Sequence, residues 1–80
     1  MKNITVFSKP NCVACTFTKK YMDENNIPYK AVDVMEDAEA LALIKEHGHQ
    51  GVPVVSVDNF DDSWNGFRPD RLSKLNEVSA

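Results

Sequence analysis

The sequence predicts an α/β sandwich of order β-α-β-α-β-β-α, a four-stranded mixed sheet flanked by three helices. Three observations predict it. Short apolar runs of period two alternate with longer runs of period three to four. The strand-helix-strand opening implies two parallel strands joined by a right-handed crossover. The last two strand-like runs are separated by Asp58-Asn59, a tight-turn pair that implies an antiparallel hairpin.

The first element, Lys2 to Phe7, sets Ile4 and Val6 against Thr5 and Phe7. Both faces are fairly apolar, which predicts a central strand. Ser8 to Asn11 reads as a loop, with Pro10 and Asn11 as turn residues. Ala14, Phe17, Thr18, Tyr21 and Met22 recur at helical spacing and predict a helix over 13–25, ended by Asn25-Asn26 ahead of Ile27-Pro28. Tyr29 to Val34 is a second strand. A second helix runs from Asp37 to His47 with Ala38, Leu41, Ala42 and Ile44 inward, and Gly48 sits where a left-handed cap residue is expected. Val52 to Val57 is a third strand opened by Pro53, and Phe60 to Trp64 a fourth. Pro69 suits the first position of a last helix, Asp70 its positive end, and Leu72, Leu75 and Val78 one apolar side.

Residues 1–80 are expected to form a single domain, in which a chain this short buries only about 60% of its unfolded surface. Leu, Ile, Val and Phe make up 20 of the 80 residues, enough to exclude a disordered chain. The longest stretch without a formal charge, His47 to Val57, is eleven residues, too short for a membrane-spanning helix. The first residues carry one Lys, no apolar core and no cleavage pattern, so a cytoplasmic chain is expected rather than a secreted one. A net charge of −3 argues against nucleic acid as a partner. The charge is uneven: +2 over 1–34, −6 over 35–65 and +1 over 66–80. Solvated faces account for this, and so does a basic rim near the cysteines that steers an acidic partner.

The chain has two cysteines, Cys12 and Cys15, two residues apart. Such a pair closes almost no loop and is no structural staple, so in a cytoplasmic chain it is a redox dithiol or half of a metal site. Cys12 falls at the start of the first helix and Cys15 one turn in. Residues three apart share a helix face, so the two sulfurs can meet. Unpaired N–H groups at the helix start and the cation of Lys9 favour a thiolate at Cys12. Cys12 is thus the nucleophile toward a substrate disulfide, and the more shielded Cys15 resolves the mixed disulfide, leaving a redox-active Cys12–Cys15 pair.

A zinc-binding or adaptor module is the alternative from another class. It would use His47 and His49 with the cysteines, but these lie one residue apart and 31 beyond Cys15, unlike finger spacings. No metal is therefore expected. Val52-Pro53 reads two ways. It is a proline opening a strand, or, since the turn falls beside the cysteine loop, a cis bond that offers the Val52 backbone to an extended substrate. The run Trp64-Asn65-Gly66-Phe67-Arg68-Pro69-Asp70 also reads two ways. It is local architecture, or a surface near the dithiol where Trp64, Phe67 and Arg68 anchor a protein partner.

The element order with a CxxC at the first strand-to-helix junction is the thioredoxin-fold plan. Phe7-Ser8-Lys9-Pro10-Asn11-Cys12-Val13-Ala14-Cys15 resembles the glutaredoxin active-site stretch. The closer resemblance is to the NrdH-redoxin family. Cys-Val-Ala-Cys is near that family's Cys-Val-Gln-Cys, Trp64 to Asp70 resembles its Trp-Ser-Gly-Phe-Arg-Pro-Asp signature, and Val52-Pro53 matches its proline. The departures are Ala14 for Gln and Asn65 for Ser. The resemblance implies a small cytoplasmic reductant, expected as a monomer, that donates electrons to the large subunit of class Ib ribonucleotide reductase and is reduced by thioredoxin reductase. It implies no bound cofactor, NADPH acting only through that reductase. It also implies partner contacts at Val13, Ala14, Val52, Pro53, Trp64, Gly66, Phe67 and Arg68. The rival within this chemistry is a glutathione-dependent glutaredoxin. Those proteins carry Gly-Gly followed by Asp for the glutathione α-amino end, where this chain has Gly66-Phe67.

Overall fold

A sheet whose central strand is apolar on both faces needs a helical layer on each side, and the chain supplies both. The computed structural model describes residues 3–78, with side chains over 3–75; Lys2 and the side chain of Val78 lie outside the described residues. The elements are β1 (Ile4–Ser8), α1 (Val13–Glu24), β2 (Lys30–Asp33), α2 (Ala38–Glu46), β3 (Val54–Val57), β4 (Asp62–Asn65) and α3 (Pro69–Val78). Sheet order is β2-β1-β3-β4, with β1 and β2 parallel and the other neighbours antiparallel. This is the thioredoxin/glutaredoxin arrangement, and β1 holds the expected central place beside β3.

Strand alternation divides the core into two layers. Ile4 and Val6 of β1, Val55 and Val57 of β3 and Trp64 of β4 pack with Met22, Ile27, Leu72 and Leu75 under α1 and α3. Phe7 and Val54, pointing the other way, pack with Val34, Ala40 and Ile44 under α2. On α2 the buried stripe is Ala40 and Ile44 with Leu41 at its margin; Ala38 and Ala42, expected inward, are exposed. Helices α1 and α2 end alike. Ile27 N–H reaches Met22 O at 2.8 Å and His49 N–H reaches Ile44 O at 2.9 Å, with Asn26 (φ 56°) and Gly48 (φ 87°) left-handed between. The expectation at Gly48 therefore holds. α2 is capped at its start by the Asp37 carboxylate, which accepts the Ala40 N–H.

The hairpin differs most from its sequence reading. The tight turn predicted at Asp58-Asn59 extends through Phe60, and all three residues have positive φ. Strand β4 therefore starts at Asp62, two residues later than expected. The buried Ser56 hydroxyl accepts the Phe60 N–H at 3.0 Å, and the Phe60 ring lies between Phe7 and His47, at centroid distances of 5.6 and 4.1 Å. Packing of that ring draws Phe60 out of the strand.

Trp64 is 5% exposed within the α1/α3 layer, so its expectation as an exposed anchor is corrected. β4 alternates, and Trp64 takes the inward position, paired with Val55. Among the described residues its Nε1 has no hydrogen-bond partner. Trp64→Ala is expected to lower the unfolding free energy by about 3–5 kcal/mol, read by urea denaturation with circular dichroism. Trp64→Phe keeps most of the packing and deletes the unpaired donor, so its loss is expected to be much smaller. Equal losses in the two variants would show that ring burial is not what Trp64 contributes.

Candidate active site at the start of α1

The site is built where β1 delivers the chain to α1. Ser8 closes the strand, Lys9 and Pro10 lie exposed in the loop, and Asn11 turns with φ 60°. Cys12 follows with extended backbone and serves as the N-cap of α1. Its Sγ accepts the Cys15 N–H at 3.2 Å, the bond a Ser or Asp side chain makes at other helix starts. Its carbonyl accepts the Thr16 N–H at 3.1 Å, so the helix hydrogen-bond ladder begins at Cys12. Cys12 is part-exposed and Cys15 is 2% exposed, both as free thiols.

Burial pushes the Cys15 thiol up to about 11, and the hydrogen bond its side chain makes with Cys12 adds to the rise. A backbone hydrogen bond from Lys9 and the charge of Lys19 work against it. The two sulfurs therefore sit in unlike surroundings: one at an open helix end, the other held as a buried thiol behind it.

The opposite wall is the turn into β3. Val52-Pro53 is cis, Pro53 is buried, and the Val52 carbonyl oxygen lies 3.9 Å from Cys12 Sγ. The turn thus falls beside the cysteine loop, as read from the fold plan. Strand β3 starts at Val54 instead of Val52, since Pro53 has no N–H for the ladder. Gly66, with φ 93°, donates its N–H to Pro53 O at 2.8 Å and ties the 64–70 run to this turn.

Exposed apolar side chains stand beside the dithiol. Val13 is 68% and Phe17 51% exposed, one turn apart on α1. The Phe67 ring stands 6.0 Å from Phe17 and 6.4 Å from Tyr21, so the 64–70 run reaches α1 through Phe67. Ala14 is half-buried beside the cysteines. Arg68 is exposed and faces Asp70 at 3.5 Å. The cation over the Trp64 ring is Arg71, 5.2 Å from its centroid. Phe17, one of the residues at helical spacing in the sequence, lies on the flank of α1, whose buried residues are Cys15, Thr18 and Met22. Spacing of four from Val13 to Phe17 to Tyr21 was the available signal. Asn65, noted only as a departure, bonds the turn across the site.

The metal alternative finds no donor set. Among the described residues no three His, Cys, Asp or Glu side chains cluster to hold an ion. His47 stacks on Phe60, and His49 Nε2 is 2.9 Å from the Ser63 hydroxyl. Among the described residues no helix is long and apolar enough to cross a membrane.

Comparison with known proteins agrees with this geometry. The glutaredoxin family model matches residues 4–60. The glutaredoxin-like protein NrdH of Lactococcus lactis subsp. cremoris is 36% identical over 72 residues, covering 90% of this chain and 97% of that protein. NrdH of Escherichia coli is 33% identical over 72 residues, covering 90% and 86%. The solved structure of the E. coli NrdH-redoxin, a glutaredoxin-like protein with a thioredoxin-like activity profile, superposes with a TM-score of 0.85 at 33% identity, covering 91% of this chain and 93% of that one. The buckwheat glutaredoxin–glutathione complex shares the fold, with a TM-score of 0.73 at 24% identity over 96% of this chain and 78% of that one. With Cys12 capping α1, the Cys15 thiol buried behind it and these relatives, the chain belongs to the NrdH-redoxins within the glutaredoxin family and is a thiol–disulfide oxidoreductase.

Proposed function

We propose that this protein is the electron donor to class Ib ribonucleotide reductase and takes its own electrons from thioredoxin reductase. The observation that carries the reading is the unequal pair: Cys12 as an accessible helix cap and Cys15 as a buried thiol one turn behind it. In the forward reaction the Cys12 thiolate attacks one sulfur of the acceptor disulfide. A Cys12–acceptor bond forms, the acceptor S–S bond breaks, and the departing sulfur leaves as a thiolate that takes up a proton. Cys15 then loses its proton and attacks Cys12 Sγ. The second acceptor sulfur departs, and the Cys12–Cys15 disulfide keeps the two-electron balance.

The protein binds no cofactor of its own. NADPH supplies the electrons through the flavin of thioredoxin reductase, whose dithiol reverses the same two exchanges. The thioredoxin-like activity profile of the E. coli relative supports this donor. So does the replacement of the Gly-Gly-Asp pattern by Gly66-Phe67, with the Phe67 ring set on Phe17 and Tyr21. A glutathione α-amino group has no carboxylate supplied by that pattern and would lie unpaired. The exposed Val13, Phe17 and Phe67 then meet the protein partner in a cytoplasmic, reducing setting, with the protein acting as a monomer.

Three outcomes are expected. With NADPH and a disulfide acceptor, thioredoxin reductase is expected to sustain turnover and glutathione with glutathione reductase to give a slow rate; comparable or faster turnover with glutathione overturns the donor assignment. Cys12→Ser is expected to abolish reduction, while Cys15→Ser is expected to trap an acceptor–Cys12 mixed disulfide visible by mass spectrometry. Full turnover in Cys15→Ser would reject the division of roles. Third, in the reduced protein iodoacetamide at pH 7–9 is expected to label Cys12 alone, with Cys15 labelling rising toward an inflection near 11. Raising pH through that value deprotonates the buried thiol; a Cys15 inflection at about 8.5, the free-thiol value, would remove its shielding from the mechanism.

A further inference from the structure

Asn65 is the last residue of β4 and pairs with Val54 across the ladder. Its Nδ2 lies 2.6 Å from the Gly51 carbonyl oxygen and 3.3 Å from that of Pro53. Those two carbonyls bracket Val52, whose own carbonyl oxygen lies 3.9 Å from Cys12 Sγ. A carboxamide carries two N–H donors and can hold both carbonyls at once; a serine hydroxyl carries one and can hold only one. Side chains hold part of this stretch, Val52 against the Phe7 and Val54 layer and Pro53 fully buried, but not its first residue. Gly51 is exposed and a Cβ there would meet nothing within 4 Å. Hydrogen bonds from the 64–70 run add to that packing in fixing the turn, and two of the three named here come from the Asn65 side chain, the third being the Gly66 N–H.

We propose that Asn65 is a positioning residue. By clamping the carbonyls on either side of Val52 it holds the Val52 backbone in line with Cys12, ready to pair with an extended chain that carries the target disulfide. An extended peptide gains from a fixed backbone edge, because main-chain pairing needs donor and acceptor in register before contact. A small aromatic disulfide has no strand to pair and reaches Cys12 without that edge. Asn65 thus favours polypeptide disulfides over small ones. The proposal rests on the disulfide-reductase reading above.

The test is single-turnover oxidation of the pre-reduced protein, with acceptor concentration varied, using oxidised insulin and 5,5′-dithiobis(2-nitrobenzoate). Omitting any reductase keeps that partner's own contacts out of the measurement. Asn65→Ala is expected to lower the insulin-to-small-disulfide ratio of second-order rate constants about five- to tenfold, mainly through a higher half-saturating insulin concentration. Asn65→Ser, which keeps one donor, is expected to fall between, and it carries the test if the alanine variant does not fold. A ratio within twofold of wild type, or an equal loss on both acceptors, overturns the positioning role. A wild-type protein that oxidises with neither acceptor sinks the disulfide-reductase reading and this proposal with it.

Discussion

The 3.2 Å bond from the Cys15 N–H to the Cys12 sulfur is the interaction on which the site depends. The first N–H groups of an α-helix have no partner within it and must be satisfied from outside. Here the outside partner is the sulfur of Cys12, so the side chain that caps α1 is also the accessible member of the cysteine pair. Once Cys12 takes the cap, Cys15 falls one turn along, on the stripe that Thr18 and Met22 continue into the core. The contrast between the two thiols follows from helix geometry and from which face of α1 meets the sheet.

The second wall of the site comes from residues 40 or more positions away. The sheet order β2-β1-β3-β4 sets β3 beside β1, so the start of β3 and the end of β1 lie at the same edge of the sheet. That adjacency brings Val52 to Cys12. It also explains why the cysteine loop and the proline turn occur together: each sits at the end of one of two paired central strands.

Much of this was legible in the sequence, and the limits have physical causes. Element order, both helix stops and the roles expected of Cys12 and Cys15 followed from local chemistry, namely periodicity, Asn25-Asn26, Gly48 and the two-residue spacing. The failures lie where tertiary contacts outweigh local preference. Phe60 belongs by propensity to a strand, yet its ring stacks with Phe7 and His47 and its backbone turns left-handed. Phe17 counts as apolar on any scale, but a hundred degrees of rotation from Thr18 sets it on the flank beside Phe67. Trp64 could not be placed because a single large aromatic in a short strand gives no direction until its partner, Val55, is known. Asn65 carried no signal beyond being a departure, since its two acceptors are backbone carbonyls that exist in every sequence.

The seven residues from Trp64 to Asp70 show how a short run can serve the core and the site together. Strand alternation sends Trp64 into the α1/α3 layer. The next residue, Asn65, reaches sideways to the turn facing Cys12, and Gly66 adds its own N–H to the same turn. Phe67 then crosses to the exposed side of α1, where Phe17 and Tyr21 receive it. Pro69 and Asp70 start α3, whose Leu72 returns to the layer that holds Trp64. Each residue thus satisfies a different neighbour. In a chain with so thin a core, spending separate segments on packing, turn support and surface would leave too little buried area for stability. That economy gives a physical reason for this run to be dense in residues of unlike chemistry, and for substitutions within it to differ in kind: Trp64 through the core, Asn65 through its bonds to the turn and Phe67 through its ring contacts with α1.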